Sequence, residues 1–355
     1  MTAKSVATGL PYKVLIGNGI LQEAGLHMAE ALGTCKLCVV TDETVHGLYG
    51  ETLLRSLREV GFDAHELVLP AGEQSKSMGV LETVLNFMAS RRLSRSDAAV
   101  AFGGGVIGDV TGFAAACYMR GIRYVQMPTT LLAAVDSSIG GKTGVNLAHG
   151  KNLAGAFWQP SLVLCDSGLL GSLDREALLD GMAEAIKHGM VADADFLGFM
   201  GKVSLQSLFR DNLLDRIIEK CVIIKSGIVC RDERDAGDRR LLNFGHTIGH
   251  AVGRCSGYSV SHGRAVALGM LHIARSAARS GMSPASCGHE LARILMSHGF
   301  ELSCGFSADE LYEAALSDKK RAGGSIAVVV PSRIGECRVE TIDESLFREF
   351  VERGF

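Results

Sequence analysis

Three histidines that lie close together in the sequence could bind a metal ion. His246 and His250 lie four residues apart in a stretch with helical spacing, so their imidazoles project from one face. His262 follows in the next segment. A helical histidine pair alone is common and often contacts only water or a carbonyl group, so a metal site requires further ligands. The sequence therefore predicts a metal site here only if another ligand joins these imidazoles.

Glu184 is the candidate for that further ligand. It stands with Lys187 in a run of small and apolar residues, GMAEAIKH at 181–188, where an unpaired charge would be costly. Histidine and glutamate ligands that leave one coordination position open are typical of catalytic zinc sites rather than structural ones. We therefore expect a divalent metal with a catalytic role.

A glycine-rich turn indicates a phosphate-binding function. The apolar run at 98–102 leads into GGGVIGD at 103–109, which fits the pattern G-x-G-x-x-G between a strand and a helix. Backbone amides in such a turn can approach a pyrophosphate. A Walker motif would need lysine where Asp109 stands, and Asp42 or Glu73 at earlier strand ends could bind a ribose. On this pattern alone, a dinucleotide, a mononucleotide and a turn without ligand all remain open.

The segment from 118 to 152 is rich in polar and basic side chains set among small residues. A flexible backbone of this kind can fold around a ligand while Lys142 and Arg120 reach an anion, although a solvated loop would have a similar composition. We favour an anionic ligand, because acidic residues are few. The polar positions are Arg120, Arg123, Thr129, Thr130, Asp136, Lys142, Asn146, Lys151 and Asn152.

Composition limits the other classes of function. The 355 residues carry a net charge of -3, with 47% hydrophobic and 21% charged residues, which gives no electrostatic basis for binding nucleic acid. We find neither a secretion leader nor an uninterrupted apolar run of about 18 residues, so we expect a cytoplasmic protein without a membrane span. Ten scattered cysteines, among them Cys38, Cys117 and Cys165 in apolar surroundings, are typical of reduced buried thiols.

Strands and helices alternate in the first half of the chain. We predict strands at 13–16, 36–41, 65–69 and 98–102, helices at 21–32 and 48–60, helical segments from 175 to 235, and a short strand at 326–330. Such alternation favours a parallel sheet with its ligand beyond the carboxyl ends of the strands. We place a domain boundary at 175, which gives an α/β domain at 1–175 and a mostly helical domain at 176–355.

Nearly the whole chain resembles the 3-dehydroquinate synthase family, in the sugar-phosphate cyclase superfamily. The segments that carry the resemblance are GGGVIGD at 103–109, YMRG at 118–121, PTTLLAAVDSSIGGKTGVN at 128–146, GKNL at 150–153, AEAIK at 183–187, NFGHTIGH at 243–250 and DKK at 318–320. The resemblance implies a Rossmann-like NAD-binding amino-terminal domain and a mostly α-helical metal-binding carboxyl-terminal domain. It also implies a homodimer.

Family positions match individual residues of this chain. The resemblance implies zinc or cobalt ligands at Glu184, His246 and His262, so that the helical pair is divided and His250 becomes a catalytic residue. It implies substrate contacts at Arg120, Asp136, Lys142, Asn152, Lys187, Lys225, Arg239 and one of Lys319 and Lys320, of which we choose Lys319. It implies NAD contacts at Asp42, Glu73, Lys76, Gly104, Gly105, Asp109, Thr129, Thr130, Lys142 and Lys151.

The implied reaction converts 3-deoxy-D-arabino-heptulosonate 7-phosphate, a phosphorylated sugar acid, into 3-dehydroquinate and phosphate in the shikimate pathway. It proceeds by transient oxidation, phosphate elimination, re-reduction and aldol closure. Other sugar-phosphate cyclases, such as 2-deoxy-scyllo-inosose and valiolone synthases, and polyol dehydrogenases of the glycerol dehydrogenase type are the alternatives. One departure is Arg264, where the family usually has glutamate, two residues after a proposed ligand.

Overall fold

The computed structural model describes residues 1–318 and 324–355. Contacts within the chain divide it into two units. The first comprises Met1–Leu173 and Leu214–Glu233, and the second comprises Asp174–Leu213 and Arg234–Phe355. This differs from the predicted division at 175, because the segment Leu214–Glu233 belongs to the first unit. Long-range ion pairs such as Lys4–Glu219, at 2.6 Å, hold that segment there, and sequence spacing does not reveal them.

The strands are β1 (Thr2–Val6), β2 (Tyr12–Gly17), β3 (Lys36–Asp42), β4 (Asp63–Leu69), β5 (Ala98–Gly103), β6 (Arg123–Pro128), β7 (Lys142–Leu147), β8 (Gly150–Phe157), β9 (Leu162–Asp166), β10 (Ser325–Arg333) and β11 (Glu336–Asp343). The α-helices are α1 (Ala24–Leu32), α2 (Glu43–Val45), α3 (Glu51–Glu59), α4 (Met78–Ser90), α5 (Gly105–Cys117), α6 (Arg175–Ala192), α7 (Ala194–Met200), α8 (Leu213–Arg231), α9 (His246–Cys255), α10 (His262–Arg279), α11 (Ala285–His298), α12 (Ala308–Asp318) and α13 (Glu344–Glu352). Short 3-10 or π-helical turns cover Ile20–Glu23, His46–Gly50, Glu73–Ser75, Tyr118–Arg120, Ala133–Ser137, Ser167–Ser172, Leu205–Ser207 and Asp238–Asn243.

The first unit contains a seven-stranded sheet with the order β1-β2-β9-β6-β5-β3-β4. All neighbours pair in parallel except β1 and β2. In chain order, the five strands β3, β4, β5, β6 and β9 therefore follow the doubly wound order 2-1-3-4-5, which reverses between β3 and β5. Ligands of such sheets bind beyond the carboxyl ends of the strands at this reversal. The predicted parallel sheet is confirmed.

Residues 37–40 of β3 and the whole of β5 are apolar, because both faces of the sheet are covered there. Leu37 and Val39 pack on one face with α1 and α3, whereas Cys38 and Val40 pack on the other with α4 and α5. This two-residue alternation is the geometry of an extended strand. The predicted strands at 36–41, 65–69 and 98–102 all fall within β3, β4 and β5. A central strand buried on both faces is therefore recognisable from a short apolar run.

The second unit is mainly helical, as predicted, with α6, α9 and α10 packed together. It also contains the antiparallel hairpin of β10 and β11, of which the sequence predicted only the strand at 326–330. No helix in the described part of the chain is long and apolar enough to cross a membrane.

The ten cysteines are all free thiols. Cys38 and Cys165 are buried, as expected. Cys117 is exposed, contrary to expectation, because it is the last residue of α5.

Candidate active site

Most of the predicted cofactor residues of the first unit lie at or just after the carboxyl ends of β3, β4, β5 and β6. Asp42 ends β3 and caps α2, its carboxylate accepting hydrogen bonds from the amides of Thr44 and Val45 at 3.0 Å. Glu73 begins the turn after β4, and Gly104 and Gly105 join β5 to α5. The backbone N–H groups in the first turn of α5 form an amino-terminal helix end suited to an anion. The predicted strand, turn and helix around the glycine motif are thus present.

A buried ion pair links α5, the helix after the glycine motif, to the loop that follows β4. Lys76 Nζ is 2.5 Å from Asp109 Oδ2, and both side chains are largely buried. Burial raises the pKa of Asp109 more than the adjacent Lys76 ammonium lowers it. The pair therefore connects the loop after β4 to the first turns of α5.

The remaining predicted cofactor residues adjoin the same strand ends. The Thr129 amide donates to the carbonyl of Gly103 at 3.0 Å, which joins the ends of β5 and β6. Thr130 Oγ1 accepts from the Ala133 amide at 3.2 Å. Lys151, in β8, is 3.4 Å from Glu73 Oε1.

Asn146, on β7, is absent from the predicted site but contacts three of its members. Its side-chain amide donates to Glu73 Oε1 at 2.7 Å, and its Oδ1 accepts from the Asn152 amide at 2.9 Å. Its own amide donates to the Lys76 carbonyl at 2.9 Å. The sequence signal was its place in the polar segment, but sequence alone did not show what it contacts.

The predicted substrate residues of the first unit include one fixed pair and three exposed side chains. Lys225, on α8, lies 2.8 Å from Asp136 Oδ1 and also donates to the Asp136 carbonyl at 2.6 Å. Arg120, Lys142 and Asn152 are exposed. Arg120 and Asn152 have positive φ values of 66° and 57°, a backbone conformation that costs a non-glycine residue energy. Such local strain is frequent at ligand-binding positions.

The predicted metal ligands converge in the second unit. Glu184, fully buried on α6, has Oε1 at 3.0 Å from His262 Nε2 and 3.6 Å from His246 Nε2. One ligand atom from each of the three residues lies within 4.8 Å of the others. Ligands that share one tetrahedral zinc ion at about 2.1 Å are roughly 3.4 Å apart. The three side chains therefore fit a single divalent cation.

Local backbone structure orients His246, the first residue of α9. Gly245 precedes it with φ 81°, and a Cβ there would lie 2.4 Å from the side chain of Met270, so only glycine fits. His246 Nδ1 lies 3.2 Å from the Phe244 carbonyl, which suits a neutral ring that donates from Nδ1 and keeps a lone pair on Nε2. Burial lowers the pKa of His246 to about 3, and the charge of Lys187 adds to this effect. The neutral form is the one that binds a metal.

The other histidine ligand is held differently. His262 begins α10 and its side chain is exposed by 42%. Burial lowers its pKa, but the hydrogen bond and charge of Glu184 outweigh that effect and raise it overall.

The remaining predicted residues of the second unit that the structure describes lie on the same helices as these ligands or just before them. Lys187, one turn after Glu184, is buried and forms an ion pair with it. His250 is exposed, and its ring meets that of His246 edge to face with centroids 5.5 Å apart. Arg239 is buried in the turn before α9. Lys319 and its alternative Lys320 lie outside the described residues.

Arg264, the departure from the family pattern, forms an ion pair with Glu301. Its positive charge is thus paired with the Glu301 carboxylate and not with that of the predicted ligand Glu184. All three predicted ligands remain grouped beside it.

Comparison with known proteins identifies the family. The model of the 3-dehydroquinate synthase amino-terminal domain matches residues 66–180, and that of the carboxyl-terminal domain matches residues 181–321. The 3-dehydroquinate synthase of Enterococcus faecalis (strain ATCC 700802 / V583) is 40% identical over 348 residues, which cover 96% of both chains.

Two solved structures share the fold. A 2-deoxy-scyllo-inosose synthase complexed with carbaglucose-6-phosphate, NAD+ and Co2+ has a TM-score of 0.91 at 23% identity, covering 100% of both chains. ValA, the 2-epi-5-epi-valiolone synthase of Streptomyces hygroscopicus subsp. jinggangensis 5008 with NAD+ and Zn2+ bound, has a TM-score of 0.88 at 27% identity, covering 100% of this chain and 97% of that one. Both domain models and the extent of the identity lead to one conclusion: the chain belongs to the 3-dehydroquinate synthase family.

Proposed function

We propose that the chain converts 3-deoxy-D-arabino-heptulosonate 7-phosphate into 3-dehydroquinate and phosphate, as a carbon-oxygen lyase of the shikimate pathway. The observation that carries the proposal is the convergence of Glu184, His246 and His262, in a chain with 40% identity to a curated 3-dehydroquinate synthase. The 23% identity to the inosose synthase is a much weaker basis for assigning that enzyme's sugar substrate.

Glu184, His246 and His262 would hold a zinc or cobalt ion. When bound, such an ion supplies Lewis acidity that polarises a substrate hydroxyl. The carboxylate and two imidazoles leave a coordination position for that hydroxyl. His246 suits this role because its ring is neutral and oriented by the Phe244 carbonyl. The cobalt and zinc bound in the two solved relatives support the choice of metal.

The strand ends of the first unit would hold NAD. When bound, NAD supplies a hydride acceptor that is restored within each turnover. Amides at the start of α5 would bind the pyrophosphate, and acidic residues at neighbouring strand ends, Asp42 and Glu73, would bind ribose hydroxyls. The NAD+ bound in both solved relatives supports this assignment.

Basic side chains would bind and orient the substrate. Its carboxylate and phosphate require cations, which Arg120, Lys142, Lys187, Lys225 and Arg239 supply. A guanidinium group can donate two hydrogen bonds to such an anion, which orients the substrate as well as strengthening its binding. Asp136 and Asn152 add polar contacts, and Lys319 is assigned the same role from the family pattern. We infer that His250 moves a proton at its imidazole nitrogen, since it is exposed beside a metal ligand.

Purified enzyme reconstituted with NAD and zinc tests this function. We expect phosphate release and 3-dehydroquinate formation from heptulosonate 7-phosphate, with neither product from glucose 6-phosphate or sedoheptulose 7-phosphate. Preference for one of the latter sugars would instead indicate another cyclase. Net accumulation of NADH with a polyol would indicate a dehydrogenase.

We also infer that the enzyme works in the cytoplasm as a homodimer. Ten free cysteines suit a reducing compartment. The dimer is inferred from family resemblance, and light scattering of the purified protein tests it.

A further inference from the structure

Asp180 joins the two helices that carry Glu184 and His262. It lies on α6, four residues before Glu184, and therefore on the same helix face. Its Oδ1 accepts a hydrogen bond from Ser261 Oγ at 2.7 Å and another from the Gly263 amide at 2.7 Å. These two donors flank His262 in the chain.

We propose that Asp180 is a positioning residue that fixes His262 relative to Glu184 for metal binding. The inference rests on the proposed metal site. Asp180 touches neither substrate nor cofactor in this role, because it acts through the backbone and side chain on either side of His262.

The start of α10 needs such an anchor. The first amides of a helix have no partner within the helix, and a side chain at the cap position usually accepts from one of them. Ser261 occupies the cap position but makes no capping hydrogen bond to α10, whereas Asp180 accepts from the Gly263 amide. A carboxylate at this end also interacts favourably with the helix dipole.

Close packing confirms that the contact is built into the fold. A Cβ on Gly263 would lie 2.3 Å from the Cα of Asp180, so the two helices approach as closely as their backbones allow. Without a side chain at 263, Asp180 reaches the amide directly.

His262 depends on this anchor more than the other ligands do. Glu184 is fully buried, and the ring of His246 contacts the Phe244 carbonyl, but the His262 side chain is 42% exposed. Surrounding side chains therefore constrain its ring weakly. Its distance of 3.0 Å from Glu184 depends on where the first turn of α10 begins.

Zinc affinity, measured by competition with a chromogenic chelator, tests the proposal without any need for turnover. Asp180→Ala removes both hydrogen bonds, and we expect zinc to bind about 10- to 100-fold more weakly. Asp180→Asn keeps an oxygen acceptor at the same position, and we expect affinity within about fivefold of wild type. Visible absorption of the cobalt form should change in Asp180→Ala and resemble wild type in Asp180→Asn.

Asp174→Ala is the matched control. Asp174 caps the same helix α6 by accepting from the Ala177 amide at 2.8 Å, so its removal weakens α6 without touching α10. We expect unchanged zinc affinity in this variant. If Asp180→Ala does not fold, Ser261→Ala removes one of the two hydrogen bonds and should weaken zinc binding to a smaller degree.

The outcomes separate this inference from the proposed function. Wild-type affinity in both Asp180→Ala and Ser261→Ala would overturn the positioning role and leave the metal site intact. Equal weakening by Asp174→Ala would also overturn it, because general loosening of α6 would then explain the effect. Failure of the wild-type chain to bind zinc would overturn the metal site and this inference together.

Discussion

The side-chain amide of Asn146 donates to Glu73 Oε1 at 2.7 Å, while its Oδ1 accepts from the backbone amide of Asn152 at 2.9 Å. One residue of β7 thus links a predicted cofactor contact to a predicted substrate contact. Glu73 and Asn152 are both exposed residues, so these hydrogen bonds position them more than burial does.

Asn146→Asp should weaken NAD binding about 5- to 10-fold, because it disturbs Glu73, a proposed NAD contact. The substitution removes the hydrogen bond from the Asn146 amide to the Glu73 carboxylate and replaces it with repulsion between two carboxylates. The aspartate keeps the acceptor for the Asn152 amide but sets a carboxylate against Glu73. Quenching of protein fluorescence by NAD measures the affinity. In the double variant with Glu73→Gln the repulsion disappears, so the penalty of Asn146→Asp should shrink. An equal penalty in both backgrounds would contradict the link.

Lys76→Met should lower the free energy of unfolding by about 3 kcal/mol, because it leaves the buried Asp109 carboxylate without its ammonium partner. The folded-state pKa of Asp109 is already raised by burial, and the substitution raises it further. The penalty is therefore full above that pKa and declines as pH falls through it toward the unfolded value. Thermal unfolding at pH 8 and pH 5 measures the difference.

Two variants control this experiment. Lys76→Met with Asp109→Asn should recover much of the stability at pH 8, since no buried charge remains. Lys151→Met removes an exposed partner of Glu73 and should leave the unfolding temperature unchanged. A penalty for Lys76→Met that does not vary with pH would show that lost packing is its cause.

Local sequence patterns predicted the parts of the fold that depend on local physics. Strands buried on both faces give apolar runs, so β3 and β5 were recognisable, as was the turn between β5 and α5. The hairpin of β7 and β8 was missed, because its glycines and polar residues are typical of a loop.

Contacts between distant residues needed more than local patterns. The Lys225–Asp136 pair spans 89 positions and fixes α8 in the first unit, contrary to the predicted boundary. His246 and His250 were readable as a helical pair, but Glu184 and His262 meet across 78 positions. The sequence alone made Glu184 a candidate for the further ligand, and the family resemblance then implied the set of Glu184, His246 and His262. Asp180 was not predicted at all. No periodicity encodes which side chain on α6 faces the start of α10.

His272 should make stability depend on pH. Its Nε2 lies 2.8 Å from the Val351 carbonyl, and burial lowers its pKa to about 4. The unfolded chain therefore takes up a proton near pH 6.5 that the folded chain resists until about pH 4. This contribution is fully present above pH 6.5 and is lost as pH falls toward 4. Its total is about 3 kcal/mol.

His272→Gln removes the titrating group and keeps a donor for the Val351 carbonyl. We expect a smaller fall in unfolding temperature between pH 7.5 and pH 5 than in wild type. His289→Gln is a control, since it removes an exposed imidazole elsewhere in the second unit. Identical pH profiles for His272→Gln and wild type would exclude His272 as a source of acid sensitivity.

His246 and His250 share a helix face, and their rings are 5.5 Å apart, yet they should respond differently to substitution. His246→Ala removes a proposed ligand and should abolish stoichiometric zinc binding, measured by metal analysis after dialysis. His250→Ala should keep the zinc and lower kcat by about 10²- to 10⁴-fold, the usual contribution of a proton-transfer group. Glu184 Oε1 lies 3.6 Å from His246 Nε2, and in the described chain only Glu184, His246 and His262 group as possible ligands. We therefore expect zinc to be lost when His246 is replaced and kept when His250 is replaced. Loss of zinc from both variants would instead make His250 a fourth ligand, and a site with four protein ligands would have no position left for a substrate hydroxyl.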